Sequence, residues 1–181
     1  MTKQLGLNLN LGTHGGRRNN SGRIRIHSSG VSHRKREKVK ASTPLHINFK
    51  YQAYIRTNWM LVVLEKAVQN AASFGLNITH FTLQSNHIHF IAEAKNNSQL
   101  TSGMKSVVAS LNKALNKGSI QIGRYHLHVL KTPREVRNAL DYVLHNDIKH
   151  TGKMDKKYTK VLGRGKSWLL TSSSKDIASV T

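Results

Sequence analysis

The 181-residue chain contains no cysteine. Disulfides and thiolate metal sites are thereby excluded, and the composition fits a reducing compartment. Long apolar runs are missing as well: none approaches the ~18 residues that a membrane span needs. The first residues, rich in Asn, Gly and Arg, hold no signal-peptide hydrophobic segment, so the expectation is a cytoplasmic protein. Aromatic residues make up only 6%, too few for the broad stacking platform of a non-specific single-strand binder. There is no Gly-rich phosphate-binding loop, which removes the usual signature of a nucleotide hydrolase. Acidic residues are also scarce, at 8 Asp+Glu.

What is abundant is positive charge. Against those acids stand 29 Lys+Arg, for a formal net charge of +21. By segment it is +9 over residues 1–40, +7 over 41–150 and +5 over 151–181. Such an excess goes far beyond solubility and points to a polyanion, whose phosphates Lys and Arg neutralise with release of counterions. A ribosomal-type protein or an anionic membrane surface would produce the same number.

Residues 1–43 read as a basic arm, because Gly15-Gly16-Arg17-Arg18, Ser21-Gly22-Arg23 and the run from His33 to Lys40 carry charge without apolar periodicity. From Leu45 the pattern becomes structural. Ile47, Phe49 and Tyr51 alternate as in a strand, and Thr57 or Asn58 caps a helix to about Phe74. That helix turns Leu61, Val62, Leu64, Val68 and Ala71 inward and is closed by Gly75. A strand with imperfect alternation follows to Ser85, then a cleanly alternating one from His87 to Ala94. A second helix carries Leu100, Met104, Val107, Val108, Leu111 and Leu115, and Arg124 to Leu130 is a further strand. Thr132-Pro133-Arg134-Glu135 opens a third helix with a capping Thr and Pro at its first position. The order β-α-β-β-α-β plus a C-terminal helix predicts an α+β, ferredoxin-like antiparallel sheet with basic flexible tails. The expected divisions are 1–43, 44–150 for the domain itself, and 151–181 for a basic tail.

The chemistry-bearing residues sit on these elements. His87 and His89 share one face of a strand, roughly 6.5–7 Å apart along it, and two neutral imidazoles so placed can bind one divalent ion. The bland alternative is two half-exposed strand residues. The opposite strand face is already apolar, so the core does not require them. His126 and His128 form a second such pair, and spacing alone does not rank the two. On the third helix Val136, Leu140, Val143, Leu144 and Ile148 make an apolar stripe, interrupted by Asp147. Tyr142 and Asn146 lie one turn apart and off that stripe. An ordinary Tyr with its hydroxyl in water would look the same.

Asn86-His87-Ile88-His89-Phe90-Ile91, with Tyr142-Val143-Leu144-His145-Asn146 downstream, resembles the single-tyrosine HUH transposases, and most of all the REP-associated tyrosine transposases. Val31-Ser32-His33-Arg34, Arg124-Tyr125-His126, Thr132 to Leu140, Lys149-His150 and Trp168-Leu169-Leu170 fit the same branch, so the similarity spans residues ~15–170. The resemblance implies that Tyr142 is the nucleophile and that His87, His89 and Asn146 hold Mg²⁺ or Mn²⁺ on a scissile phosphate. Relatives carry Gln where Asn146 stands, a longer arm for the same amide oxygen. It implies nicking and transfer of single-stranded DNA at palindromic, hairpin-forming repeats, in a nucleoid-associated protein acting as monomer or dimer. Arg17, Arg18, Arg23, Arg25, Arg34, Lys35, Arg36 and Arg124 would then contact DNA. The rival reading is a non-catalytic nucleic-acid-binding module on the same fold, for hairpin DNA or RNA, which should place aromatic pairs on its open sheet face.

Overall fold

The computed structural model describes residues 37–115, 124–152, 155–163 and 165–167. The arm positions Arg17, Arg18, Arg23, Arg25, Arg34, Lys35 and Arg36 lie outside that set, as does Trp168-Leu169-Leu170. Eight elements follow in the order β1 (Leu45–Lys50), α1 (Asn58–Ser73), β2 (Asn77–Leu83), β3 (His87–Glu93), α2 (Asn97–Ala114), β4 (His126–Val129), α3 (Pro133–Thr151) and β5 (Thr159–Val161). The strands form one antiparallel sheet in the order β4-β1-β3-β2-β5. The first four strands and two helices make the expected ferredoxin-like α+β arrangement, with α1 and α2 on one face. Strand β5 comes from the stretch expected to be a basic tail; three residues of modest apolarity gave no signal for it.

Each helix start is local chemistry. The Thr57 hydroxyl accepts from Met60 N–H, the Asn96 side chain from Gln99 N–H, and Thr132 from Glu135 N–H, each meeting a donor that the first turn leaves open. Glu135 does not reach back to its cap residue: its carboxylate accepts from Lys131 N–H at 2.7 Å. Gly75, at φ 81°, reverses the chain after α1, where a side chain would be strained. Gly103 answers a different need, since a Cβ there would fall 2.3 Å from Leu76 Cβ.

The main core lies between the sheet and α1/α2, built from Leu45, Ile47 and Phe49 of β1, Ile88, Phe90 and Ala92 of β3, and the helix residues Leu64, Val68, Leu100 and Leu111. Val62, expected inward, is 49% exposed, and Met60 and Ala67 face the core instead. The imperfect alternation of β2 has a cause. The register shifts between Ile78 and His80, and this bulge at Thr79 lets Ile78 and Phe81, three apart, both face the helices. Order also begins before the first strand: Val39 is buried in the core, and its N–H donates to Asn97 Oδ1 at 2.7 Å.

A smaller core lies on the other side of the sheet, where Val136, Ala139, Leu140 and Val143 of α3 cover Ile91 and Leu130. The third helix is therefore the lid on the sheet's polar face.

Candidate metal and nucleophile site

That polar face follows from strict alternation. While Leu45, Ile47 and Phe49 point into the core, His46, Asn48 and Lys50 of β1 point the other way, as do His87, His89, Ile91 and Glu93 of β3. Because β3 is the middle strand of five, its histidines sit at the centre of the face. The rings of His87 and His89 are 4.9 Å apart at 90°, with His89 buried and His87 partly exposed. His87 Nδ1 lies 2.8 Å from Asn86 Oδ1, an acceptor that favours the Nδ1–H tautomer. The rival pair, His126 and His128, is exposed on the edge strand β4, with His128 3.9 Å from Glu135.

Tyr142 comes down onto the buried member of the pair. Its ring centre is 5.2 Å from that of His89, edge to face, and 6.0 Å from that of His46. Sequence spacing placed Tyr142 and Asn146 on one helix face and the histidines on one strand face, but could not join them; the packing of α3 joins Tyr142 to His89. His46 was missed. Its Nε2 lies 3.1 Å from His89 Nδ1 and the two rings stack at 5.2 Å. Burial, with the nearby His128 adding to it, pushes the His46 pKa down to about 4, so at neutral pH the ring is uncharged. The signal that would have found it was present: His46 occupies the polar half of an alternating strand.

The lower half of α3 differs from its expected stripe. Leu144 is only partly buried and Ile148 is 46% exposed, while Asn146 and Asp147 are fully buried. The inward positions run Val136, Ala139, Leu140, Val143, Asn146, Asp147, so the helix keeps its period but changes from apolar to polar one turn after Tyr142.

Asp147 explains half of that change. Its Oδ1 takes hydrogen bonds from Arg56 Nη1 at 2.6 Å and Gln84 Nε2 at 2.7 Å, and its Oδ2 takes one from the Thr159 hydroxyl at 3.1 Å. Arg56, 8% exposed, also holds Asp155 at 3.2 Å and lies 4.5 Å over the Tyr158 ring. Burial works against the guanidinium's charge, but Asp147 and then Asp155 outweigh it and raise its pKa. One buried carboxylate thus ties α3 to the β1–α1 loop, the end of β2 and the start of β5.

Asn146 is the other half. Neither its amide oxygen nor its amide nitrogen has a hydrogen-bond partner among the described residues. Burying such a group unsatisfied costs about 1–3 kcal/mol, so a fully buried amide calls for a partner, which a water or a metal ion can supply. No cluster of three His, Asp or Glu side chains suited to a metal exists among the described residues. A third protein donor beside His87 and His89 would therefore be of another type, and the amide oxygen of Asn146 is one. Two imidazole nitrogens with an amide oxygen are a mixed donor set that a divalent transition ion accepts, whereas Mg²⁺ alone favours oxygen donors.

At the far end of β3, Glu93 receives the C-terminal segment. Its two carboxylate oxygens accept from the N–H groups of Lys166 and Ser167, each at 2.7 Å. Arg124 is exposed just before β4.

No protein-family model and no curated protein matches the chain. Among solved structures it is similar to that of a REP-associated tyrosine transposase bound to a REP hairpin, with a TM-score of 0.56 and 17% identity over 67% of this chain and 75% of that one. At this identity the likeness is one of fold, and the fold is what the REP-associated tyrosine transposase shares with this chain.

Proposed function

We propose that the protein is a metal-dependent DNA transposase that nicks and transfers single-stranded DNA at hairpin-forming palindromic repeats, through a 5′-phosphotyrosine intermediate. One observation carries this reading: Tyr142 stands ring against ring with His89 of the His87/His89 pair, 5.2 Å apart, next to the small apolar patch by which α3 covers the sheet. The net charge of +21 supplies affinity for a phosphate backbone, and the structural neighbour's hairpin DNA supports the substrate class.

In this reading His87, His89 and Asn146 would hold Mg²⁺ or Mn²⁺, which supplies Lewis acidity to the scissile phosphate. Tyr142 Oη forms a bond to phosphorus as the bond to the 3′ oxygen breaks. The phenolic proton passes to solvent and the departing oxygen takes one up, leaving a free 3′-OH and a 5′-phosphotyrosine. The phosphodiester energy stays in the covalent link, so a second 3′-OH can reverse the step without a nucleotide cofactor. The basic arm, with Arg17, Arg18, Arg23, Arg25, Arg34, Lys35 and Arg36, together with Arg124, would grip the hairpin stem.

The test is a denaturing gel. Incubation with single-stranded hairpin DNA and Mn²⁺ should yield a covalent protein–DNA adduct that is lost in Tyr142→Phe and His87→Ala. Adduct persisting in Tyr142→Phe would overturn the assigned nucleophile. Hairpin binding without any adduct would leave a nucleic-acid-binding module in its place.

A further inference from the structure

We infer that His46 is a positioning residue: it takes the Nδ1 proton of His89 in a hydrogen bond and so leaves the His89 Nε2 lone pair directed to the metal side. This rests on the proposed metal role of His89 and adds a residue that the histidine pair itself does not reveal.

The geometry carries it. Asn48 is the cross-strand partner of His89, so His46, two residues away on the same face of β1, is its diagonal neighbour. From there the His46 ring stacks on His89 at 5.2 Å and 21°, and its Nε2 comes to 3.1 Å from His89 Nδ1. Stacking alone would need only an aromatic ring; the close nitrogen–nitrogen approach requires that one of the two be protonated and the other not. If His89 Nδ1–H donates to His46 Nε2, then His89 Nε2 is a lone pair and the ring can ligate. If His46 Nε2–H donates instead, the neutral His89 carries its proton on Nε2 and cannot. Which nitrogen of a ligand histidine faces the metal is set by the hydrogen bond the other makes. His46 is itself held in place from two sides, by His128 as its partner on β4 and by the edge of Tyr142 at 6.0 Å.

The same choice is met differently at His87, where the amide oxygen of Asn86, at 2.8 Å from Nδ1, is an acceptor that favours the Nδ1–H tautomer. At His89 an imidazole replaces that amide. The two ligand histidines thus present the same nitrogen through different partners.

Nitrogen-15 NMR of the full-length, metal-free protein reads the tautomer of His89 directly, and titration with Mn²⁺ alone, followed by electron paramagnetic resonance, reads affinity. Neither needs DNA or turnover. The expected result is the Nδ1–H tautomer at His89 in the wild type, its loss in His46→Phe, and a 10–100-fold weaker Mn²⁺ affinity in that variant. His46→Gln, whose amide oxygen can accept the same proton, should recover most of both. Thermal melts of the two variants separate a folding defect from a positioning one. An Nε2–H tautomer in the wild type, or an unchanged His89 signal in a folded His46→Phe, overturns the inference. Wild-type protein that shows the Nδ1–H tautomer but binds no Mn²⁺ would instead overturn the metal role of His89, while the tautomer comparison would still decide the positioning one.

Discussion

A single side chain can be costly to the empty protein and necessary to the loaded one, and on the function proposed above Asn146 would be both. Its buried, unpartnered amide predicts a trade. Asn146→Leu should raise the urea midpoint of the metal-free protein, by about 1 kcal/mol in stability, while weakening Mn²⁺ binding. A variant less stable than the wild type, with unchanged Mn²⁺ affinity, would show that the amide is satisfied and uninvolved. His80, on the strand beside the one that carries His87 and His89, offers a pH test. Burial lowers its pKa from 6.5 to about 4, so the unfolded state binds the extra proton between those values. The folded pKa being the lower one, stability is full above about pH 6.5 and falls as pH drops towards 4, by roughly 1–3 kcal/mol for this one group. Denaturation midpoints at pH 7 and pH 4.5 should converge in His80→Gln relative to the wild type.

Among elements, α3 decides whether the site exists. It lies on the sheet through a small apolar patch and one buried carboxylate cluster, and the second of these fixes its rotation. Asp147→Ala leaves the Arg56 guanidinium without its main partner in a place it cannot escape, and should cost about 3–5 kcal/mol in urea unfolding. The double change Arg56→Met with Asp147→Leu should cost clearly less, because no charge is then left buried. Equal losses would mean that a stranded charge is not what the single substitution costs. The same element shows what a sequence discloses. The strand and helix order was legible, since alternation and three-to-four spacing are read directly from apolar residues; so was the pairing of His87 with His89. The rotation of α3 was not, because Asn146 and Asp147 stand at inward positions and a reader of apolar stripes assigns those to Leu144 and Ile148 instead. Likewise Arg56 joins Asp147 across 91 residues, a contact that local spacing cannot contain. His46 was legible in principle, being one of three polar residues on an otherwise apolar strand.

Taken whole, the molecule is a polycation in which the described acids are largely spoken for: Asp147 and Asp155 by Arg56, Glu93 by backbone N–H groups, Glu37 by Lys131. Little negative charge is left to oppose a phosphate backbone. Affinity for hairpin DNA should therefore fall steeply with salt, and if six phosphates are neutralised, log K against log[salt] should slope at about −5. A slope near zero, measured by fluorescence anisotropy between 50 and 200 mM salt, would argue that charge is not what binds. No helix among the described residues is long and apolar enough to cross a membrane. The clamp on α3 finally sets an order in time. Synthesis runs from N- to C-terminus, so the tyrosine helix leaves the ribosome before Asp155 and Thr159, which complete its anchorage. A nascent chain halted at Gly152 would own His46, His87, His89, Tyr142 and Asn146, yet lack part of the network that holds them in register. The anchorage of α3 over the sheet would then be complete only once β5 has been made and Thr159 has joined Asp147.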